Sequence, residues 1–233
     1  MTFLVASQNA IAKLVGQRPS AVVSSTDEIC VEMTALARDA AVDLAEVHDW
    51  QNLIEFHTIS GNGTDTSFPM PTDYDRMVQA SEIFDPSSWA WHYCHVPDYS
   101  EWLRMVEGGT EFITPGIWQI RKNRFQFWPA PGVSEKATFP YISRNIWIGD
   151  NGAAKDELTN DTDGFALDER LLTLALVWRW LSLKRMDYQQ EVEDYNIALS
   201  KAVAKDKGAR IYRDNGRYRF LGAVPAWPWR LGP

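Results

Sequence analysis

The sequence has few of the features that mark catalytic, secreted or nucleic-acid-binding proteins. Its 233 residues include only two cysteines, Cys30 and Cys94, too few for a disulfide framework, which fits a reducing site of synthesis. Lys and Arg number 23 against 31 acidic residues, a net charge of -8. Because phosphate affinity depends on clustered cations, this balance argues against a dedicated nucleic-acid-binding protein.

Segments for membrane insertion or secretion are also missing from the sequence. No apolar run approaches the roughly 18 residues that a membrane-spanning helix needs. The apolar segment 3–6 comes before the first cation, Lys13, whereas a secretory signal carries its cations in front of the apolar stretch. We therefore expect a soluble protein made in the cytosol.

Recognisable catalytic motifs are absent as well. Gly61-Asn62-Gly63 is not followed by a helix pattern that would place a phosphate at a helix N-terminus. There is no Gly-x-Ser-x-Gly elbow. The best metal candidates are His92, Cys94, His95 and Asp98, but their spacing is loose and no second cluster accompanies them. The sequence therefore predicts no enzyme, no metal and no cofactor, with a metal hydrolase left open as an alternative.

Helical periodicity occurs towards both ends of the chain. The segment 3–15 predicts a short helix that Gly16 ends. Ser25 and Glu28 match a capping box, which would begin a long helix reaching about Trp50. The apolar face of this helix recurs every three or four residues and comprises Ile29, Met33, Leu36, Ala40, Leu44 and Val47. Such a face requires burial against other elements.

A second helical region begins near Asp168. Its apolar residues are Leu171, Leu174, Trp178 and Leu181. Asp187 and Gln190 are predicted to cap a separate last helix that Gly208 closes. The apolar face of that helix comprises Val192, Tyr195, Leu199 and Ala202. Because isolated helices of this length are marginal in water, we predict that the helices pack together as a bundle.

The residues between the helical regions have the alternation of β-strands. Segments 53–60 and 64–68 flank the glycine-rich turn 61–63, which predicts a hairpin. Segments 117–120 and 125–128 predict a second hairpin around a short polar turn. Together they predict a small antiparallel sheet or sandwich.

Two further segments complete the middle of the chain. A strand is predicted at 138–143, and since it contains Pro140, which cannot donate to a ladder, we place it at a sheet edge or a bulge. Residues 150–164 are rich in Gly, Asn and Asp and are predicted to form a loop that returns the chain to helix.

The C-terminal segment differs from the rest in composition. It interleaves cations with aromatic residues against one acid, Asp214. Three prolines disfavour a helix or a central strand. The segment 212–220 is compatible with a short hairpin around Asp214-Asn215-Gly216. An extended arm cannot bury its own aromatic side chains, so we predict that it binds a partner. The candidate contact residues are Arg210, Tyr212, Arg213, Arg217, Tyr218, Arg219, Phe220, Trp227, Trp229 and Arg230.

These patterns predict an α+β protein in three parts. Residues 1–50 and 165–208 form a helical body, residues 51–164 form a β-rich insertion, and residues 209–233 form an extended C-terminal arm. The fold class is thus a helical bundle with an inserted antiparallel sheet or sandwich.

Several short motifs follow one another in an order that is informative. They are His48-Asp49-Trp50-Gln51, the segment 61–71 with Asp73-Tyr74-Asp75-Arg76-Met77, the run Phe127-Trp128-Pro129-Ala130-Pro131, Tyr141-Ile142-Ser143, and Asp168-Glu169-Arg170-Leu171-Leu172 with Trp178-Arg179-Trp180 and Tyr195. Over about residues 16–202 this set resembles the neck adaptor proteins of tailed bacteriophages. Pro140 departs from the pattern, since a ladder-forming residue is expected there.

The resemblance implies a structural head-to-tail connector of the virion, made in the host cytoplasm. It implies a ring, usually of twelve copies, that docks on the portal protein and connects it to a downstream tail or neck protein. DNA would pass through the lumen without specific binding, and no membrane is involved. The C-terminal arm would face the portal.

A carbohydrate-binding β module of a phage tail or cell-surface protein is the alternative from another class. Trp89, Trp91 and Trp102 lie in a Trp-rich stretch where indole rings could stack on sugars. A sugar-binding module would not need the long helical frame, which favours the adaptor.

Overall fold

The computed structural model describes residues 2–86, 92–108 and 116–206. Its helices are α1 (Phe3–Val15), α2 (Glu28–Val47), α3 (Tyr99–Glu107), α4 (Glu169–Leu183) and α5 (Gln189–Asp206). The strands of a larger sheet are β1 (Ile54–Ser60), β2 (Ser67–Pro69), β3 (Tyr74–Met77), β4 (Ile83–Phe84), β5 (His92–His95), β6 (Ile117–Arg121), β7 (Arg124–Trp128) and β8 (Lys136–Ser143). A smaller sheet contains β9 (Trp147–Ile148), β10 (Ala154–Lys155) and β11 (Gly164–Phe165). The predicted α+β class is confirmed.

The chain folds as two compact units. The helical unit comprises the described residues of 1–55, 73–76 and 142–209, and the sheet unit those of 56–72 and 77–141. The strands of the small sheet lie within residues 142–209 and therefore belong to the helical unit. Residues 150–164, predicted as a loop, contain β10 and the first residue of β11.

Helix α4 is the central element of the helical unit and packs against α1, α2 and α5. The Asp168 carboxylate accepts the Arg170 backbone N–H at 2.8 Å and so caps its first turn. Leu172 and Leu176 are fully buried, whereas Leu174 and Trp178 of the predicted apolar face are only half-buried. Since α4 is covered on several sides, its buried surface is wider than one stripe.

Helices α1 and α2 lie where the sequence predicts them and differ in detail, whereas the sequence predicts no helix at α3. Helix α1 has the predicted bounds and ends at Gly16, whose φ of 74° is left-handed. Helix α2 begins at Glu28 after Asp27, and the Ser25 hydroxyl accepts the Asp27 N–H at 3.2 Å. The predicted capping box at Ser25 is therefore wrong, because the helix starts too late for that hydroxyl to reach its N–H groups.

The larger sheet is curled and mixed, with strand order β1-β8-β4-β5-β6-β7-β2, and β3 also pairs with β8. Strands β5 and β6 are parallel. The predicted hairpin of β6 and β7 is confirmed, since the strands are antiparallel and joined at Lys122 and Asn123, which both have positive φ. Phe125, Phe127 and Phe139 are fully buried and form the aromatic core of the sheet unit.

One predicted hairpin and one predicted edge position are wrong. Strands β1 and β2 do not form a hairpin with each other, because β1 pairs with β8 and β2 pairs with β7. Strand β8 lies between β1 and β4 and is not an edge strand. Strand β4 is paired with β8 only at Thr138, two residues before Pro140, so that ladder does not require an N–H from Pro140.

Candidate assembly interface

The ten predicted contact residues, from Arg210 to Arg230, lie outside the residues that the structure describes. The point from which this segment continues is described, however. At the end of α5, the Asp206 carboxylate accepts the Gln51 backbone N–H at 3.0 Å and lies 3.3 Å from His48 Nε2. Asp206 thus fixes the end of α5 to the 47–51 connection after α2.

Helix α5 is attached to the helical unit by a small part of its surface. Among its 18 residues only Tyr195 is buried. The Tyr195 ring lies 6.1 Å from the ring of Trp178 on α4, centroid to centroid. Burial raises the pKa of the Tyr195 hydroxyl. Ile197, on a neighbouring part of the helix, remains 52% exposed.

A groove of about 1100 Å³ lies over α4 between α1 and α5. Leu174, Ile197 and Ala198 supply apolar surface within it. The cations that line it are Lys13, Arg18, Arg170 and Lys201, and the acids are Asp168, Glu169 and Asp194. Asp168 is already engaged as the cap of α4. The groove therefore combines an apolar surface with cationic side chains of α1 and α5.

The outward face of α2 carries an apolar stripe. Val31, Ala35 and Val42 are spaced by four and seven residues, so they share one side of the helix, and all three are exposed. Val31 is 55% and Val42 48% exposed. Asp39 and Glu46 flank this stripe and are also exposed, and Arg38, seven residues after Val31, lies within it and donates to the Leu158 carbonyl at 3.1 Å. We call the stripe with these two acids the α2 ridge.

The metal candidates are brought to one strand and its exit but are used for other contacts. His92 Nδ1 lies 3.4 Å from Glu82, and the His95 ring stacks on Trp118 with centroids 4.3 Å apart. The Asp98 carboxylate caps α3 by accepting the N–H groups of Ser100 and Glu101. These hydrogen bonds lower the Asp98 pKa. Within the described ranges, no three His, Cys, Asp or Glu residues are placed to hold a metal ion.

Of the three proposed sugar-binding tryptophans, the structure describes Trp102. Trp102 is 8% exposed and packs with Val96 and Ile117 beneath α3. Trp89 and Trp91 lie outside the described residues. The sugar-binding alternative therefore has no support from Trp102. Of the helices that the structure describes, none is long and apolar enough to span a bilayer.

The glycine-rich motif is held against the proline-rich motif of the sheet unit. Gly63 donates its N–H to the Pro131 carbonyl at 2.8 Å, and Gly61 donates to the Glu135 carbonyl at 3.0 Å. A Cβ at Gly61 would overlap the carbonyl groups of Pro131 and Gly132. Gly61 is therefore required by a close approach between two chain segments and not by a hairpin turn.

The motif around Asp73 performs a similar task in the helical unit. The Ser143 hydroxyl donates to the Asp73 carboxylate at 2.7 Å. Arg76 donates to the carbonyl groups of Ala45 and His48 at 3.0 and 3.2 Å and pairs with Asp49 at 3.2 Å. A guanidinium at the end of α2 satisfies carbonyls that have no partner inside the helix. These motif residues therefore organise the fold.

The motif residues thus hold chain segments together in both units. The family model of the SU10 adaptor protein matches residues 1–222, and the chain belongs to this family of phage head–tail adaptors. No curated protein matches the chain.

Sequence reasoning identified the family motifs but missed the groove and the α2 ridge. Val31 and Val42 were outside the predicted apolar face of α2, and this was the signal available for the ridge. The groove had no such signal, because its lining comes from three separate segments, 9–18, 165–174 and 194–201.

Proposed function

We propose that this chain forms a ring that docks on the portal protein and joins it to a downstream tail or neck protein, leaving a channel for DNA. The observation that carries the proposal is the family match, which extends over 222 of 233 residues. The proposed role is structural, without catalysis, in the neck of the virion. Twelve copies are the number that the family resemblance favours.

A closed ring makes each subunit contact many times over. Repetition lets weak individual contacts hold a durable joint. The net charge of -8 supports a channel role, because an acidic wall repels DNA and lets it move without sticking.

The C-terminal segment is the proposed portal anchor. Residues 207–233 contain six of the 23 Lys and Arg residues but only one of the 31 acids. Trp227 and Trp229 would fill apolar sites on the portal, and the arginines would pair with acidic groups there. The Asp206 contacts support this assignment, since they fix the point from which the anchor continues.

Electron microscopy of the purified chain mixed with its portal protein tests the proposal. We expect ring-shaped density bound to the portal, and we expect it to be lost when residues 207–233 are deleted. The truncated chain should keep its far-UV circular dichroism spectrum and melting temperature, because the helices α1–α5 and the strands β1–β11 lie within residues 3–206. Unchanged binding by the truncated chain would contradict the anchor, and no ring in any mixture would contradict the adaptor role.

A matched variant separates the aromatic contribution from overall loss of the segment. Trp227→Ala with Trp229→Ala should weaken portal binding about 100-fold or more, since two buried tryptophans commonly dominate an interface. Tyr188→Ala, a change at a 38% exposed aromatic residue of the described part, is the control and should leave portal binding unchanged.

A further inference from the structure

We propose that the α2 ridge of one copy of this chain docks into the groove between α1 and α5 of the next copy. This inference rests on the proposed ring and adds the surfaces that would close it. The ridge exposes Val31 and Val42, and the groove is a concave surface over α4 that the described residues leave open. Both belong to the helical unit.

The two surfaces are separate parts of the helical unit. Arg170, Thr173 and Leu174 line the groove and are spaced by three and four residues, so they share one face of α4. The ridge lies on α2, none of whose residues lines the groove. Arg179, on the opposite side of α4 from Arg170, pairs with Asp43 of α2. A closed ring of more than two subunits needs two different patches on each subunit, because each subunit contacts one neighbour with the first patch and the other neighbour with the second.

The two surfaces carry unpaired charges of opposite sign, alongside Arg38 on the ridge and Asp194 in the groove. Asp39 and Glu46 on the ridge have no ionic partner among the described residues. Lys13 on α1 and Lys201 on α5, at the groove, also have none within the same described ranges. Two unpaired carboxylates on one surface therefore match two unpaired ammonium groups on the other.

The acidic and apolar parts of the ridge extend along the same length of α2. Asp39 and Glu46 are seven residues apart, which corresponds to about 10 Å along a helix axis. Val31 and Val42 extend the apolar part of the ridge over about 16 Å. Beside Val42 a cavity of about 240 Å³ is lined by Arg38 together with Asp156 and Glu157.

Site-directed cross-linking tests the contact in the full-length chain. Cys94→Ser removes the exposed native thiol, since Cys30 is buried. Val42→Cys marks the ridge and Ile197→Cys marks the groove. A bismaleimide should link the two variants when they are mixed but neither variant to itself, and the chain carrying both changes should give a ladder of oligomers.

The matched control replaces the ridge position by an exposed valine of the sheet unit. Val133 is 82% exposed, so Val133→Cys mixed with Ile197→Cys should give no linked product. Linkage of Val42→Cys to itself would overturn the inference, because it would mean that the same patch meets on two copies.

Charge reversal provides an independent test. Asp39→Lys with Glu46→Lys should lower the subunit association constant about tenfold or more, and Lys13→Glu with Lys201→Glu should do the same. Combining all four changes should restore assembly. Glu107→Lys with Glu193→Lys adds the same charge at exposed positions outside both surfaces and should have no effect.

The outcomes distinguish this inference from the proposed function. Rings seen by electron microscopy or native mass spectrometry without cross-links between ridge and groove would overturn the inference and leave the adaptor role intact. Absence of any oligomer, with and without the portal, would overturn both. Failure of the four-residue combination to restore assembly would also overturn the inference.

Discussion

Gly61 lies where two segments of the chain approach each other closely. A Cβ at Gly61 would overlap backbone carbonyl groups that belong to a different segment and cannot move aside easily. We therefore expect Gly61→Ala to lower the free energy of unfolding by about 3 kcal/mol, as overpacking does elsewhere. Urea denaturation followed by circular dichroism measures this loss.

Gly132 provides the matched control for Gly61. A Cβ at Gly132 would meet only side-chain atoms of Glu135, at 3.5 Å, and its φ is not in the left-handed region. Gly132→Ala should therefore change stability by less than about 1 kcal/mol. An equal loss for both variants would show that the close approach of Gly61 is not what restricts this position.

Asp163 is a fully buried carboxylate with a cationic partner. Lys155 Nζ lies 2.6 Å from its Oδ2, which also accepts the N–H groups of Asn160 and Thr159. Burial alone would raise the Asp163 pKa, but these hydrogen bonds outweigh it and hold the pKa below its ordinary value of 3.8. The stabilisation by Asp163 is therefore fully present above about pH 4 and is lost as the pH falls through the folded-state pKa.

This arrangement predicts a pH-dependent cost for Asp163→Asn. At pH 7 the variant should lose about 2 kcal/mol of unfolding free energy, because the charged hydrogen bonds are weakened while an acceptor oxygen remains. The difference from the unmodified chain should shrink in urea titrations carried out below pH 4. Asp156→Asn, at an exposed position, should cost less than about 0.5 kcal/mol. A difference that stays constant with pH would contradict the role of the carboxylate charge.

At the scale of elements, α5 depends on one aromatic side chain. Tyr195→Ala should remove the main apolar contact between α5 and α4, at a cost of about 3 kcal/mol. Because the other residues of α5 are exposed or half-buried, the loss should be concentrated in this helix. Hydrogen–deuterium exchange should accelerate over Gln189–Asp206 and remain slow in α4. Uniform acceleration across the helical unit would contradict this local attachment.

Elements governed by nearby residues were predictable from the sequence. The bounds of α1 followed from its apolar pattern and Gly16, and the β6–β7 hairpin followed from alternation around a short polar turn. The pairing of β1 with β8 was not predictable, because its partner lies about 80 residues away and leaves no local trace. The sequence likewise predicts a hairpin turn at Gly61 and Gly63, because no nearby residue indicates that these glycines contact Pro131 and Glu135.

The candidate surfaces also differ in whether the sequence alone reveals them. The charged aromatic segment at 210–230 was visible as composition, and its role stays a prediction. The groove required the tertiary structure, since Lys13 and Lys201 approach it from opposite ends of the sequence. Helix periodicity gives the inward face of each helix, but it does not reveal which outward face remains uncovered after packing.

At the scale of the whole molecule, charge is divided unequally along the chain. Residues 1–206 hold 30 of the 31 acids, whereas the C-terminal 27 residues are cationic. We expect portal attachment to weaken when NaCl is raised from about 0.1 to about 0.5 M, because ionic screening shortens the range of exposed charge pairs. Binding isotherms at several salt concentrations measure this slope.

Replacing Arg213, Arg217 and Arg219 by Gln should flatten the salt dependence while leaving the tryptophan contribution in place. The matched control is Arg121→Gln with Arg185→Gln, which removes exposed cations from the described part and should leave the slope unchanged. A slope that persists in the triple variant would assign the ionic contacts to another surface.

The attachment of Asp206 to the 47–51 connection also sets a geometric limit. A fully extended polypeptide spans at most about 3.6 Å per residue, so Trp229 can reach no farther than about 80 Å from Asp206. The fixed carboxylate is thus the centre of a sphere within which any receptor for the terminal indoles must lie. In a docked particle, the distance from the Asp206 carboxylate to the portal would determine how far residues 207–229 must be extended.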